Sequence, residues 1–111
     1  MDSTIRLAVA EDVDWPPPEA RLQAVLWRAE GHLQRHEYFA ASQTLAEAFD
    51  LGEMEFVRGL HHLAAAGYKR AEGDRLRAGR QLAHARRRLA PFLPKHRGLD
   101  LRALLESVER R

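Results

Sequence analysis

The chain has 111 residues, no cysteine and a formal net charge of +2. A chain of this length is expected to form one domain with a single core, and the lack of cysteine excludes a disulfide scaffold, a thiolate zinc site and a cysteine nucleophile. Residues 1–60 carry eleven acidic and five basic side chains, whereas residues 61–111 carry five acidic and thirteen basic ones. The basic half is suited to an anionic partner, or to the acidic half of the same or another copy.

The first 17 residues are predicted to form an extended arm, and residues 18–111 a single helical domain. Three prolines directly after Trp15 fix the backbone and remove amide donors, so this piece is extended, and Trp15 is expected to anchor the arm to the body. The opening residues lack the basic start and long apolar stretch of a signal peptide, and no segment approaches the roughly 18 to 20 apolar residues of a membrane span. We therefore expect a cytoplasmic protein without membrane contact.

From residue 18 onwards the apolar residues recur at helical spacing, which predicts a series of five helices. The first two cover residues 18–34 and 37–50, and the second ends near Gly52, a residue that tolerates a left-handed backbone. The apolar face of the first helix is formed by Leu22, Val25, Leu26, Ala29 and Leu33. One side of the second helix is formed by Tyr38, Ser42, Leu45 and Phe49.

The other three helices are predicted over residues 53–71, 75–90 and 100–109. Asp74 and Asp100 stand just before the last two, where a carboxylate accepts hydrogen bonds from the free amides of the first turn. The inward faces are formed by Phe56, Leu60, Leu63, Ala64 and Gly67, then by Leu76, Leu82, Ala83, Leu89 and Ala90, and last by Leu101, Leu104, Leu105 and Val108.

Small residues on the third and fourth helices predict that these two helices form a close antiparallel pair. They are Gly59, Ala66, Gly67, Ala78 and Gly79. A glycine inside a helix costs about 1 kcal/mol against alanine, so close approach of the two backbones is expected to compensate. The fold class expected is all-α, a compact bundle of four to five helices with an extended N-terminal arm.

Four segments are informative in their order and spacing: EYFAASQTLAEAF, FVRGLHHLAAAGYKRAEGD, the alanine of RAGRQL, and GLDLRALL. Together they resemble a small all-helical bacterial and archaeal family, the domain-of-unknown-function family numbered 309, over residues 33–105. In that family the segment matching residues 37–49 carries a His-Glu pair followed by a further Glu. Ser42, Gln43 and Ala46 stand at these three positions here.

The resemblance implies that an ionisable centre has become neutral at this place. A histidine and two carboxylates can bind a metal or exchange protons, whereas a serine and an amide cannot. We expect no catalytic residue, metal or cofactor, and interpret the place as a hydrogen-bonded polar core, with a relict ligand pocket or an active site as alternatives. The family usually has an apolar residue at the position of His61, so the resemblance implies that His61 is partly buried. The residues expected in this pocket or polar core are Ser42, Gln43, Glu47, His61, Tyr68, Arg86 and Asp100.

Arg86 is the unusual member of that set, because it falls between Leu82 and Leu89 on the apolar face of the fourth helix. An unpaired guanidinium at a buried position would carry a large desolvation cost, so an acidic group should meet it. Glu47 and Asp100 are the expected partners, and a partner subunit or a bound anion is the alternative.

The opposite face of the fourth helix predicts an anion-binding surface. Its members, Arg77, Arg80, His84, Arg87 and Arg88, lie within about 120° of one another at 100° per residue. Basic side chains grouped in this way bind phosphates with salt-dependent affinity, although the same pattern also occurs on solvated helices.

The sequence favours a non-enzymatic module that acts through protein–protein contact, with a homodimer as one form of it. The two tryptophans, the proline-bounded arm and the opposed charges of the two halves motivate this interpretation. Binding of nucleic acid or another polyanion through the fourth helix is the first alternative. A degenerate relative of a metal or hydrolytic site is the second.

Overall fold

The fold is all-α, as predicted, and the computed structural model describes residues 15–110 of the chain. The helices are α1 (Pro18–Gln34), α2 (Tyr38–Ala46), α3 (Met54–Ala71), α4 (Arg75–Leu89) and α5 (Leu101–Glu109). A 3-10 turn, Ala90–Phe92, follows α4 and leads into a hairpin of β1 (Lys95–His96) and β2 (Leu99–Asp100). None of the helices in this part of the chain has the length and apolar character to cross a bilayer.

Of the predicted arm over residues 1–17, residues 1–14 lie outside the described part of the chain. The prediction that Trp15 anchors the arm to the body is wrong, because Trp15 is 76% exposed. The backbone at Pro17 is extended, with φ −63° and ψ 155°, and its φ is close to the value that a proline ring fixes.

The inward faces predicted for α1, α3 and α5 are confirmed, since every residue assigned to them is buried. The helix α3 lies at the centre, packing against α2 on one side and against α4 on the other, while α1 packs on α2. The short α5 covers the ends of α1, α3 and α4, and Arg70 of α3 donates hydrogen bonds to the carbonyls of Val108 and Glu109 at 2.6 and 2.5 Å. Burial of these apolar faces supplies the main driving force for the fold.

The second helix ends four residues earlier than predicted, at Ala46 instead of residue 50. After Thr44 the amides of Glu47 and Ala48 bond to the carbonyls three residues before them, at 3.1 and 3.0 Å, so the chain tightens into turns. These turns place Phe49 half-buried against the core and let the chain reverse before α3.

The buried face of α4 is rotated from the one predicted. The residues that are buried are Ala78, Ala85 and Leu89, whereas Leu76 is 68% exposed and Ala83 and Ala90 are also exposed. The helix packs through the small residues Ala78 and Ala85 together with Leu89, which lets its backbone approach α3 closely. Of the predicted face, Leu89 is buried and Leu82 is partly buried, whereas the other three residues face solvent.

The predicted close pairing of α3 and α4 is confirmed. The contact between Glu55 and Arg88, at opposite ends of the two helices, shows the antiparallel arrangement. An added Cβ at Gly59 would lie 2.7 Å from the Leu89 side chain of α4. Gly67 instead makes room for Tyr38 of α2, and Gly79 has nothing within 4 Å of an added Cβ. Two of the three glycines are therefore explained by close approach, and Gly79 is not.

The predicted caps are confirmed, because Asp74 and Asp100 each accept a 3.1 Å hydrogen bond from the amide three residues later. The hairpin before α5 was not predicted. Its turn, Arg97–Gly98, has φ angles of 52° and 80°, as a two-residue hairpin with left-handed turn residues requires.

Candidate functional site

Ser42 and His61 join α2 to α3 by a hydrogen bond of 3.0 Å between the serine Oγ and the histidine Nε2. Both side chains are half-buried, and the ring of Phe49 packs edge-on against His61 at 5.2 Å between centroids. Burial, and then the charge of the neighbouring His62, lower the pKa of His61 below its ordinary value. The imidazole is therefore neutral at neutral pH and can share this hydrogen bond in either direction.

The geometry of this pair is that of a nucleophile beside a base, but its surroundings are those of a structural bridge. A serine acting as a nucleophile also needs a group that orients the histidine and donors for the developing oxyanion. No carboxylate among residues 15–110 contacts the His61 ring. Of the seven residues expected in a pocket or polar core, this hydrogen bond joins two, Ser42 and His61.

The other residues predicted for this polar core do not join it. Gln43 is exposed, and Glu47 is exposed and bonds to Arg28 at 3.1 Å. Tyr68 is 38% exposed, with its ring 5.8 Å from that of Phe39. All three side chains therefore face solvent and not the pair of Ser42 and His61.

The prediction of a buried Arg86 is wrong. Its side chain is 55% exposed, because the rotation of α4 carries it to the flank of the helix, and its guanidinium bonds to the carboxylate of Glu109 in α5. Of the two partners expected from the sequence, Glu47 bonds elsewhere and Asp100 serves as the cap of α5. An exposed ion pair of this kind contributes little stability.

The predicted anion-binding surface forms an exposed basic face on α4, which carries six arginines and no acidic residue. We call its members, Arg77, Arg80, His84, Arg87 and Arg88, the basic face. Arg77 lies 3.6 Å from Asp74, and Arg88 bonds to Glu55 at 2.8 Å. Arg80 and Arg87 have no acidic partner in the part of the chain that the structure describes. The basic face therefore keeps unneutralised charge toward solvent.

One end of the basic face borders a cleft of about 500 Å³ between the start of α3 and the end of α4. We call it the α3–α4 cleft, and it is lined by Glu55, His84, Arg87, Arg88, Pro91 and Phe92. This volume falls within the roughly 300–1,000 Å³ of small-molecule sites. Cationic and apolar groups therefore meet in one concave place.

His84 lies over His62 of α3, with 5.1 Å between ring centroids and 30° between planes. His62 is itself held in place, because its Nδ1 donates to the side-chain oxygen of Gln81 at 2.7 Å. Desolvation, followed by the positive charges of His62, Arg87 and Arg88, lowers the pKa of His84. An anion bound here would reverse that electrostatic effect.

A second charged cluster surrounds Arg97 in the hairpin turn, and sequence reasoning missed it. The guanidinium donates to Gln23 at 3.1 Å, to Glu19 at 2.9 Å, and to Glu53. Glu53 also bonds to His96 Nε2 at 2.6 Å. Because these acidic partners neutralise its guanidinium, Arg97 does not extend the basic face of α4.

The charges in this cluster stabilise one another. Burial opposes ionisation of Glu53, but hydrogen bonds from Arg97 and His96 outweigh it and lower its pKa. Hydrogen bonds to Glu19 and Glu53 raise the pKa of Arg97. Arg97 and Glu53 both have left-handed φ angles, of 52° and 47°, a backbone strain that the cluster holds in place. Because the partners lie far apart in the sequence, no local pattern points to this cluster.

Within residues 15–110 no three histidine, aspartate or glutamate side chains come together as a set that could hold a metal ion. The site that the family resemblance would place around position 42 contains Ser42 bonded to His61. Comparison of this chain with known protein families, curated proteins and solved structures finds no match, so its resemblance to the family numbered 309 stays a prediction.

Proposed function

We propose that the protein binds a polyanion, nucleic acid being the first to test, through the basic face of α4. The observation that carries the proposal is that Arg80 and Arg87 of this face are exposed and have no acidic partner among the described residues. Such arginines neutralise phosphates and release counterions, which gives salt-dependent affinity with little sequence preference. The cytoplasmic location predicted from the sequence agrees with this function.

The length of the face sets the scale of the interaction. Arg77 and Arg88 are eleven residues apart, which is about 16 Å along the axis of an α-helix. That distance spans about five nucleotides of one strand of a duplex at 3.4 Å each. We therefore expect a few phosphate contacts, modest affinity and no base-specific reading.

The test is fluorescence anisotropy with labelled single- and double-stranded oligonucleotides at several salt concentrations. The variant Arg80→Gln/Arg87→Gln should bind more weakly at low salt, and the slope of log affinity against log salt for duplex should fall by about 2. The matched control is Arg102→Gln/Arg110→Gln, which removes the same charge from exposed positions of the C-terminal part. Affinity that is indifferent to salt, or equal in both double variants, would contradict the proposal.

A second candidate function is contact with a protein partner or a second copy, and one observation favours it. The rings of Phe39 on α2 and Tyr68 on α3 lie 5.8 Å apart and are 59% and 38% exposed, although aromatic rings gain by burial. Together they form an apolar spot on the side of α3 where α2 packs. Single exposed apolar residues are common, so the pairing is the informative feature.

Light scattering over a concentration series tests self-association. We expect a rise in mean mass with concentration that Phe39→Ser abolishes, while Leu76→Ser, at an exposed leucine of α4, leaves it unchanged. A mass that stays at that of one chain at every concentration would contradict the homodimer.

A further inference from the structure

We propose that the α3–α4 cleft is a binding site for a phosphomonoester group, held by Arg87 and His84 with Arg88 beside them. This inference deepens the proposed function and rests on it, because the cleft lies at one end of the basic face. The class of ligand is a terminal phosphate: on an oligonucleotide, on a mononucleotide, or free inorganic phosphate.

Shape separates this site from the rest of the basic face. A phosphodiester backbone needs an open surface, which the outer arginines of α4 provide. The cleft is concave, and Pro91 and Phe92, which follow the last turn of α4, line it together with the cations. A concave place of this kind admits the terminal group of a chain whose backbone lies on the open part of the basic face.

The donors are arranged for one small anion. The Nη2 of Arg87 donates a hydrogen bond of 3.5 Å to Nδ1 of His84, so the two groups lie side by side. Once Nδ1 is protonated, both groups can donate to one bound phosphate. Arg88 is held by Glu55, and a guanidinium with five N–H donors keeps others free after that bond. Arginine and phosphate match in geometry, since two parallel N–H groups meet two oxygens.

The charge of the cleft also fits. Its lining contains two arginines and one glutamate, a net charge of +1, which becomes +2 when His84 is protonated. A phosphomonoester carries between −1.5 and −2 near neutral pH. The groups facing His84 are His62 from α3 and Arg87 and Arg88 from α4, with Glu55 across the cleft. Desolvation, and then its positive neighbours, depress the pKa of His84 in the free protein. A bound phosphate would counter the second of these causes, so it should raise that pKa and draw a proton onto His84.

The binding test compares ligands that differ only in the phosphate. Isothermal titration calorimetry of the full chain would use AMP, adenosine and inorganic phosphate, and anisotropy would use one oligonucleotide with a 5′-phosphate or a 5′-hydroxyl. We expect AMP to bind and adenosine not to bind, and the 5′-phosphate to raise oligonucleotide affinity. Inorganic phosphate binding as well as AMP would identify the phosphate alone as the ligand.

The variants locate the site. Arg87→Gln should weaken AMP binding about ten- to hundredfold, the ratio expected for one charge-assisted hydrogen bond, while the control Arg102→Gln should leave it unchanged. At pH 6.5 the wild-type chain should take up more protons on binding AMP than the His84→Asn variant does. Protons that AMP itself gains or loses contribute equally to both measurements and therefore cancel in the difference. Both residues are solvent-exposed, so neither substitution disturbs the core.

The outcomes separate the two proposals. Equal affinity for 5′-phosphate and 5′-hydroxyl oligonucleotides, or AMP binding that Arg87→Gln leaves unchanged, would overturn the cleft assignment and leave the polyanion face standing. AMP binding without salt-dependent oligonucleotide binding would support the cleft and remove the proposed function. Equal proton uptake by wild type and His84→Asn would overturn the role given to His84.

Discussion

Alanine at position 67 would have to share space with the ring of Tyr38. An added Cβ would lie 2.3, 2.4 and 2.6 Å from three ring carbons, far inside normal contact. Tyr38 is only 5% exposed, and its hydroxyl bonds to His36 Nδ1 at 2.8 Å, so the ring cannot turn away without losing that bond and its burial. The glycine is therefore required by the packing of α2 on α3.

The magnitude follows from three contributions. Overpacking of this severity costs about 3 kcal/mol, and loss of the bond to His36 adds about 1 kcal/mol. The higher helix propensity of alanine relative to glycine offsets about 1 kcal/mol of this loss. We expect Gly67→Ala to lower the free energy of unfolding by about 3 kcal/mol, which corresponds to a fall in Tm of roughly 12 °C.

Gly79 provides the matched control, since an added Cβ there meets nothing within 4 Å and the residue lies inside α4. Gly79→Ala should raise the free energy of unfolding by about 0.5–1 kcal/mol through propensity alone. Urea unfolding followed by far-ultraviolet circular dichroism measures both variants. In a Tyr38→Ala background the clash is absent, and Gly67→Ala should then be neutral or stabilising. Wild-type stability for Gly67→Ala, or an unchanged loss in the Tyr38→Ala background, would refute this account of the packing.

Asp74→Ala should cost about 1 kcal/mol, the value of an N-cap, whereas Asp50→Ala at an exposed non-cap position should cost almost nothing in the same urea titration. Arg97→Met should lower stability by about 2 kcal/mol at pH 7. Since the folded-state pKa of Glu53 is depressed, its stabilisation is present above its ordinary pKa of 4.5 and is lost as pH falls through the folded value. Arg97→Met should flatten that acid limb, and an unchanged limb would contradict the assignment. The pKa of His61 is also depressed, so its contribution is present above about 6.5 and declines as pH falls below it; His61→Gln should reduce this slope in unfolding measured from pH 7.5 to 5.

The helices could be predicted from the sequence where large apolar residues set the period. Leucines and one phenylalanine mark the buried faces of α1, α3 and α5, and all of these positions are buried. In α4 the leucines are only a partial guide, because Leu89 is buried together with Ala78 and Ala85, whose small side chains carry a weak apolar signal, while Leu76 is exposed. Where a helix approaches its neighbour closely, the smallest residues mark the contact. Because the larger leucines were used to place the buried face of α4, Arg86 was predicted on that face, whereas it lies beside it.

The candidate sites divide in a similar way. The basic face follows from helical spacing alone, so the sequence reveals it. Ser42 and His61 were both singled out, yet their bond depends on how α2 and α3 align, which no spacing specifies. The partners of Arg97 are Glu19 and Gln23, near the start of the described chain, and Glu53, near its middle, and local sequence patterns give no information on contacts of that kind.

The same long-range connections of Arg97 have a kinetic consequence. Its guanidinium ties the hairpin to Glu53, 44 residues away, and to Glu19, 78 residues away. Contacts that close such large loops carry a high entropic cost and are expected to form after the folding barrier is crossed. Removing the ion pairs of Arg97 should therefore accelerate unfolding while the refolding rate stays the same. The lifetime of the native state then depends on one side chain in a two-residue turn.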